Sequence, residues 1–232
     1  MEKAWGLVDV WGERLVTSNA RVREASFIDG GLDESGSGNE NNCNNSTGLV
    51  PLGNNYIFLH GDQGTILVLG FLYNMREEAA ITVETVEDVF QQSWFTSLFA
   101  SPRPTEFNTV LVMAHMDVND ELITLLHNTL RDLIGKSMVL QFATGHTHNR
   151  GYIELDDFAS SFEAGRYLDT IGFVSFNPQK GNFEHVFVDA NRTSIAQSLG
   201  MLEDEYPTHD GKDLLAYIAW TLEHAGANEV IG

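Results

Sequence analysis

The chain is 232 residues long, and its 33 acidic and 13 basic residues give it a formal charge of −20. That charge argues against general binding to nucleic acids or to anionic membranes, because both recruit proteins through basic surfaces. The hydrophobic share of 43% is typical of a folded protein, and a single cysteine excludes an internal disulfide.

The sequence predicts little core structure for the N-terminal part of the chain. Residues 1–5 lack the basic segment and apolar run of a signal peptide, and no run of about 18 apolar residues predicts a transmembrane helix anywhere. Residues 5–16 mix apolar and polar side chains and predict one or two strands. Residues 29–47 are rich in Gly, Ser, Asn and acid, so we expect a disordered insertion loop on the surface.

The rest of the chain alternates between strand and helix patterns. Short apolar runs rich in β-branched residues predict strands, and apolar residues at three- and four-residue spacing predict helices. The predicted strands are 56–60, 65–72, 109–113, 138–143, 151–155, 166–176 and 183–189, and the predicted helices are 83–99, 120–134, 194–202 and 212–224. The first two strands flank a turn and predict a hairpin. The central strand–helix–strand order indicates a layered α/β domain.

Three histidines follow the two predicted buried strands on either side of the 120–134 helix. His115 comes just after the first strand, and His146 and His148 come just after the second. Ligand sites of α/β sheets gather outside the carboxyl ends of the strands, so we expect these imidazoles at one edge. Gly145 would supply the freedom for a sharp turn. Because imidazole is a common ligand for Zn, Fe, Cu and Ni, the pattern predicts a metal site.

A plain structural role for these histidines stays open, because a histidine at a strand end is more often a surface or hydrogen-bonded residue. A distance separates the two interpretations. Ring nitrogens that share one zinc ion lie within roughly 4 Å, about the most that two Zn–N bonds of ~2.1 Å can span. No role is assigned to the other histidines: His60 is expected in a turn, His127 on an exposed helix face, His185 in a strand without a partner, and His209 and His224 in polar surroundings.

Two segments carry the histidines, VLVMAHMDV at 110–118 and QFATGHTH at 141–148. They resemble the second half of calcineurin-like metallophosphoesterases, most closely the 5'-nucleotidase branch in its fungal form. Further support comes from LVTSN at 15–19, LGFL at 69–72 with Trp94-Phe95, and GRYLDTIG at 165–172. The resemblance covers most of residues 5–190.

The resemblance implies a fold and a division of the chain. The fold class is an α/β, layered metallophosphoesterase-like sandwich that is incomplete, with its N-terminal βαβ units missing. Residues 1–190 would form the second half of the metallophosphoesterase domain. Residues 191–232 would form a helical segment that begins a truncated C-terminal domain.

The resemblance also implies a two-metal site. Two divalent ions (Zn, Mn or Fe) are expected in the complete enzyme, with His115 and His146 on one ion and His148 on the other. Arg150 is a candidate contact for a phosphate, and a surface salt bridge is the alternative for it. Three histidines divided in this way give each ion fewer than the three or four ligands that a stable site needs.

The family's upstream motifs Asp-x-His, Gly-Asp-x-x-Asp and Gly-Asn-His-Asp/Glu occur nowhere in the sequence. The catalytic Asn-His pair would therefore lie upstream, and no catalytic residue is assigned. We interpret the chain as a fragment and expect weak metal binding and little or no turnover by it alone.

Two functions follow, and whether the chain is an enzyme is left open. The first is a metal-dependent phosphoester hydrolase that releases phosphate from nucleoside monophosphates through a metal-activated water. The alternative is a degenerate, non-catalytic domain that acts as a binding or regulatory module. The expected partners are a small phosphorylated substrate, in the first place a nucleotide, and a second copy through an exposed sheet edge. The location would be secreted, vacuolar or cell-surface if a parent protein carries a signal peptide, and cytoplasmic otherwise.

Overall fold

The computed structural model describes residues 11–23, 48–75, 81–103, 105–177 and 180–225. The insertion loop predicted at 29–47 lies outside these residues, as does most of the strand region predicted at 5–16. Where that region is described, the prediction is wrong, because Gly12–Arg14 forms a short 3-10 helix.

The described residues form eleven strands and five α-helices. The strands are β1 (Ala20–Arg23), β2 (Leu49–Pro51), β3 (Tyr56–Gly61), β4 (Gly64–Leu72), β5 (Ile81–Val83), β6 (Thr109–His115), β7 (Val139–Thr144), β8 (Arg150–Asp156), β9 (Ala159–Ala164), β10 (Thr170–Asn177) and β11 (Asn182–Asp189). The α-helices are α1 (Val86–Phe90), α2 (Ser93–Leu98), α3 (Glu121–Ile134), α4 (Arg192–Ser198) and α5 (His209–His224).

A six-stranded sheet in the order β3-β4-β6-β7-β9-β8 forms the centre of the fold. Strands β4, β6, β7 and β9 run parallel, while β3 and β8 pair antiparallel at the two edges. The predicted hairpin is confirmed as β3–β4. Strand β9 was missed because its sequence, ASSFEA, contains small residues of weak strand propensity.

Helix α3 connects the neighbouring parallel strands β6 and β7. It begins after Asp120, whose carboxylate accepts a hydrogen bond from the backbone N–H of Leu122, and it ends at Gly135. Leu126 of the helix belongs to the same fully buried cluster as Val112 of β6 and Phe142 of β7. Burying each such side chain stabilises the fold by about 1.5–3 kcal/mol. The predicted helix at 120–134 and its flanking strands are therefore confirmed.

The single helix predicted at 83–99 is wrong. The region forms the end of β5 and the two short helices α1 and α2. The Thr85 hydroxyl accepts a hydrogen bond from the Asp88 backbone N–H and starts α1, and the chain leaves helical geometry at Gln92. Both short helices still bury apolar residues, including Val89 and Phe95, which explains the helical spacing in the sequence.

Two smaller sheets and a C-terminal helical part complete the described structure. Strands β2-β1-β5 form one sheet and the antiparallel hairpin β10-β11 forms the other. Residues 166–169, predicted as strand, form a turn before β10. In the described part of the C-terminal segment, Arg192–Ser198 and His209–His224 are helical, and the division of the chain at residue 190 stays a prediction. No helix within the described residues is long and apolar enough to cross a membrane.

Candidate metal centre

His115 and His146 meet at the carboxyl edge of the central sheet. His115 is the last residue of β6, and His146 follows the neighbouring parallel strand β7 by two residues. His115 Nε2 and His146 Nδ1 lie 3.1 Å apart. This separation is within the roughly 4 Å that two nitrogens bound to one ion can span. In the absence of an ion, the same two atoms can share one hydrogen bond.

Tyr73 packs against both rings of this pair. It follows β4 directly, and its ring centroid lies 5.0 Å from that of His146 and 6.2 Å from that of His115. The end of β4 is fixed by the fully buried Asn19, whose side-chain amide donates to Leu72 O and accepts from Leu72 N. Asn19 therefore fixes the strand end from which Tyr73 reaches the histidine pair.

The environment of His115 favours the neutral imidazole that a metal ion requires. Although the side chain reaches solvent, its partial burial lowers the pKa of His115, and the neighbouring His146 lowers it further. The carboxylate of Glu163 acts in the opposite direction but does not outweigh them. A neutral ring at neutral pH offers a nitrogen lone pair without first losing a proton.

The loop after β7 turns sharply, but Gly145 does not supply the unusual backbone conformation. The positive φ angles belong to His146, at 111°, and His148, at 65°. A Cβ atom at Gly145 would meet no atom within 4 Å. The role predicted for Gly145 is therefore wrong. The backbone N–H of Gly145 instead donates to Met116 O and ties the loop to the end of β6.

Glu163 holds the other side of this loop. It lies on β9, is only 1% exposed, and is the register partner of Thr144 at the end of β7. Its carboxylate accepts one hydrogen bond from the Thr147 hydroxyl and one from the backbone N–H of His148, each 2.8 Å long. Sequence reasoning missed this residue. An acid within the small-residue run that follows β8 was the available signal.

His148 lies on the same loop as His146 but faces different neighbours. Its ring centroid is 5.7 Å from that of Tyr167, an exposed side chain in the turn before β10. Within the part of the chain that the structure describes, no three His, Cys, Asp or Glu side chains gather closely enough to hold a metal ion. The ring nitrogens of His115 and His146 therefore supply two of the ligands that one metal ion needs, and other groups would have to supply the rest.

A cavity of about 460 Å³ adjoins His115 at the carboxyl ends of β4, β6 and β7. Its lining includes Val16, Thr17, Asn19 and Ala20 together with the segment from Ala143 to Gly145. The buried hydroxyl of Thr144, which lines it, has no hydrogen-bond partner among the described residues. The cavity is large enough for a small ligand beside the histidine pair.

Arg150 takes part in a salt bridge at the start of β8. Its guanidinium pairs with the carboxylate of Asp189, and its Nε donates to the Thr170 hydroxyl at 2.7 Å. These contacts tie β8 to the β10–β11 hairpin. The salt-bridge alternative fits this geometry, and a phosphate contact by Arg150 stays a prediction.

Three other histidines lie in surroundings that differ from those predicted. His60 is a strand residue, and its Nδ1 lies 3.0 Å from the Thr65 hydroxyl. His185 stacks on Tyr152 with ring centroids 3.7 Å apart, so it has a partner. The side chain of His127 is only 14% exposed, and it pairs with Asp156, which also binds Arg131. Cross-strand and helix–turn packing, invisible in a local pattern, explains all three.

The fold resembles that of a solved 5'-nucleotidase, in agreement with the fold that the sequence resemblance implied. The structure superposes on the 5'-nucleotidase from Candida albicans with a TM-score of 0.74 and 20% sequence identity, and the match covers 96% of this chain and 39% of that one. The mixed α/β sheet with its helices therefore corresponds to one part of that larger protein.

Relatives in sequence come from fungi. The chain is 27% identical over 200 residues to an uncharacterized protein of Saccharomyces cerevisiae and 25% identical over 172 residues to a secreted protein of Arthroderma benhamiae. These matches cover 79% and 72% of this chain, but only 33% and 22% of the relatives. An uncharacterized protein of Schizosaccharomyces pombe is 30% identical over 124 residues, which is 53% of this chain and 20% of that protein. The chain thus spans a third or less of these relatives, and no family model matches it.

Proposed function

We propose that this chain is the histidine-bearing part of a metal-dependent phosphomonoesterase of the 5'-nucleotidase type. The observation that carries the proposal is the 3.1 Å separation of His115 Nε2 and His146 Nδ1 at the carboxyl ends of adjacent parallel strands. Two imidazoles brought together there by the fold, rather than by neighbouring sequence, are suited to hold one divalent ion.

In this proposal the chain's own residues bind and orient. His115 and His146 hold one ion, His148 contributes to a second, and Tyr73 packs against the first pair. Bound Zn, Mn or Fe would supply an activated water and a positive field for phosphate. The remaining ligands and the Asn-His pair would come from other parts of a longer protein, so we expect little turnover by the chain alone.

The proposed substrate is a nucleoside monophosphate. Support comes from the fold shared with a protein named as a 5'-nucleotidase. A net charge of −20 does not exclude a small anionic substrate, because divalent ions supply positive charge that 13 basic residues cannot. For the location, we propose an extracytoplasmic site for the parent protein, because one relative is named as a secreted protein.

A non-catalytic binding or regulatory module is the second candidate. The observation that favours it is the lack of a third metal-ligating side chain near the histidine pair among the residues that the structure describes. Such a module would keep the fold and a two-nitrogen site without the chemistry. Self-association through an exposed edge of the sheet, for which Leu59 on edge strand β3 is a candidate contact, is proposed for either function.

Zinc titration and a phosphatase assay test these proposals together. We expect the chain to bind Zn²⁺ weakly, and His146→Ala or His115→Ala to weaken binding at least 10-fold. His209→Ala is the matched control, because that side chain is 89% exposed and lies on α5 away from the pair. Binding that survives both site variants would contradict the metal-site proposal. Hydrolysis of AMP that is lost in His146→Ala would instead contradict the non-catalytic candidate.

A further inference from the structure

The loop that carries His146 and His148 has a backbone that its residue types do not favour. Both histidines have positive φ, 111° and 65°, a region that side-chain-bearing residues rarely adopt. Such conformations persist only when the surrounding structure fixes them, and they concentrate at functional sites. Something outside the loop must therefore hold residues 145–148 in place.

Glu163 makes the contacts that can do this. Its two carboxylate oxygens accept from two different loop donors, the Thr147 hydroxyl and the His148 backbone N–H, both at 2.8 Å. The two donors lie on residues 147 and 148. The carboxylate therefore fixes the loop at Thr147, which lies between the two histidines, and at His148 itself. Because Glu163 is 1% exposed and sits on a paired strand, it is itself held rigidly.

The burial of this carboxylate is costly unless it is compensated. A charged group taken out of water loses its hydration, and hydrogen bonds from the protein must replace it. Here the two loop donors provide that replacement. The loop and the acid therefore depend on each other, and neither arrangement is favourable without its partner.

We propose that Glu163 is a positioning residue that holds the 145–148 loop in the conformation presenting His146 and His148 to a metal ion. The metal part of this inference rests on the proposed function. The positioning part concerns the loop alone. Residues behind metal ligands that orient them in this way typically change metal affinity 10–100-fold when replaced.

Two replacements of similar size separate hydrogen bonding from space filling. In Glu163→Gln, the carbonyl oxygen can accept from the His148 N–H while the amide donates to the Thr147 hydroxyl oxygen, so both bonds are retained. Glu163→Met fills the same space but offers only a weak sulfur acceptor. Ser161→Ala is the matched control, because this buried β9 hydroxyl has no hydrogen-bond partner among the described residues.

Two readouts are measured on the full chain. The first is the hydrogen-exchange rate of the His148 amide in the metal-free protein, followed by NMR. We expect Glu163→Met to exchange at least 10-fold faster than wild type, and Glu163→Gln and Ser161→Ala to stay within about 3-fold. The second is the dissociation constant for Zn²⁺ from calorimetric titration, which we expect to rise about 10–100-fold in Glu163→Met and only a few-fold in Glu163→Gln.

Equal exchange rates in Glu163→Met and Glu163→Gln would overturn the inference, because packing alone would then explain the buried acid. If Glu163→Met does not fold, Thr147→Val removes one of the two bonds without altering β9. Faster exchange of the His148 amide in that variant supports the inference, and an unchanged rate overturns it. Failure of wild-type protein to bind Zn²⁺ through His115 and His146 would refute the proposed function instead, while the exchange measurement still decides the role of Glu163.

Discussion

Asp156 anchors the end of α3 to the turn between β8 and β9. Its carboxylate lies 2.6 Å from Arg131 Nε and 2.6 Å from His127 Nε2, and Arg131 and His127 are only 9% and 14% exposed. Burial raises the pKa of Asp156, but hydrogen bonds from Arg131 and His127 outweigh it and bring the pKa down from 3.8 to about 2. This cluster lies at the amino ends of the parallel strands, whereas the histidine pair lies at their carboxyl ends.

The lowered pKa sets the size and the pH dependence of the stabilisation. A fall from 3.8 to about 2 converts to roughly 2.5 kcal/mol. Because 32% of the side chain reaches solvent, screening reduces this to about 1–2 kcal/mol. A carboxylate whose pKa is lower in the folded state stabilises the fold above its unfolded pKa of about 3.9, and this contribution is lost as the pH falls towards 2.

We therefore expect Asp156→Asn to lower the free energy of unfolding by about 1–2 kcal/mol at pH 7, with a loss of about 2–8 °C in Tm. The difference from wild type should shrink between pH 4 and pH 2, because the carboxyl of the unfolded wild-type chain binds a proton in this range while the folded-state carboxyl, with its pKa of about 2, stays mostly ionised. Urea unfolding across this pH range measures it, and Asp157→Asn, an exposed neighbour, is the control. An effect equal to that of Asp157→Asn, or one of constant size down to pH 2, would refute the reasoning.

Two further predictions concern the site and the hairpin beside it. Tyr73→Ala should raise the pKa of His115 towards its ordinary value, because the substitution removes part of the burial that lowers this pKa. Tyr73→Phe keeps the ring and should leave the pKa of His115 unchanged. NMR titration of the His115 imidazole distinguishes the two variants. Gly172→Ala should lower the free energy of unfolding, measured by chemical denaturation, by about 1–3 kcal/mol, because the added Cβ would lie 2.4 Å from the Phe162 ring. At Gly145 an added Cβ meets no atom within 4 Å, so Gly145→Ala should change stability little. Equal effects of the two alanines would contradict the second prediction.

The central layers were predictable because their signals are local. In β6, α3 and β7 the apolar spacing, the Asp120 cap and Gly135 all indicate the same elements, and the strand ends place His115 and His146 correctly. The break inside 83–99 was not predictable in this way, since Gln91-Gln92 contains neither Gly nor Pro and the apolar spacing continues across it.

The supporting contacts of the site were not predictable because they arise between distant segments. Glu163 reaches the histidine loop only through the pairing of β7 with β9, a strand whose small residues gave a weak pattern. Composition suggested Gly145 as the residue with unusual backbone freedom, but the positive φ angles are found at His146 and His148. Tyr73 approaches the pair only because β4 lies beside β6.

X-ray absorption of the zinc-loaded chain tests the central claim most directly. If His115 and His146 hold one ion, the zinc edge should show at least two imidazole nitrogens at about 2.0–2.1 Å, and this signal should be lost in the double variant His115→Ala/His146→Ala. An unchanged imidazole signal in the double variant, or a zinc shell of oxygen alone in wild type, would contradict the account.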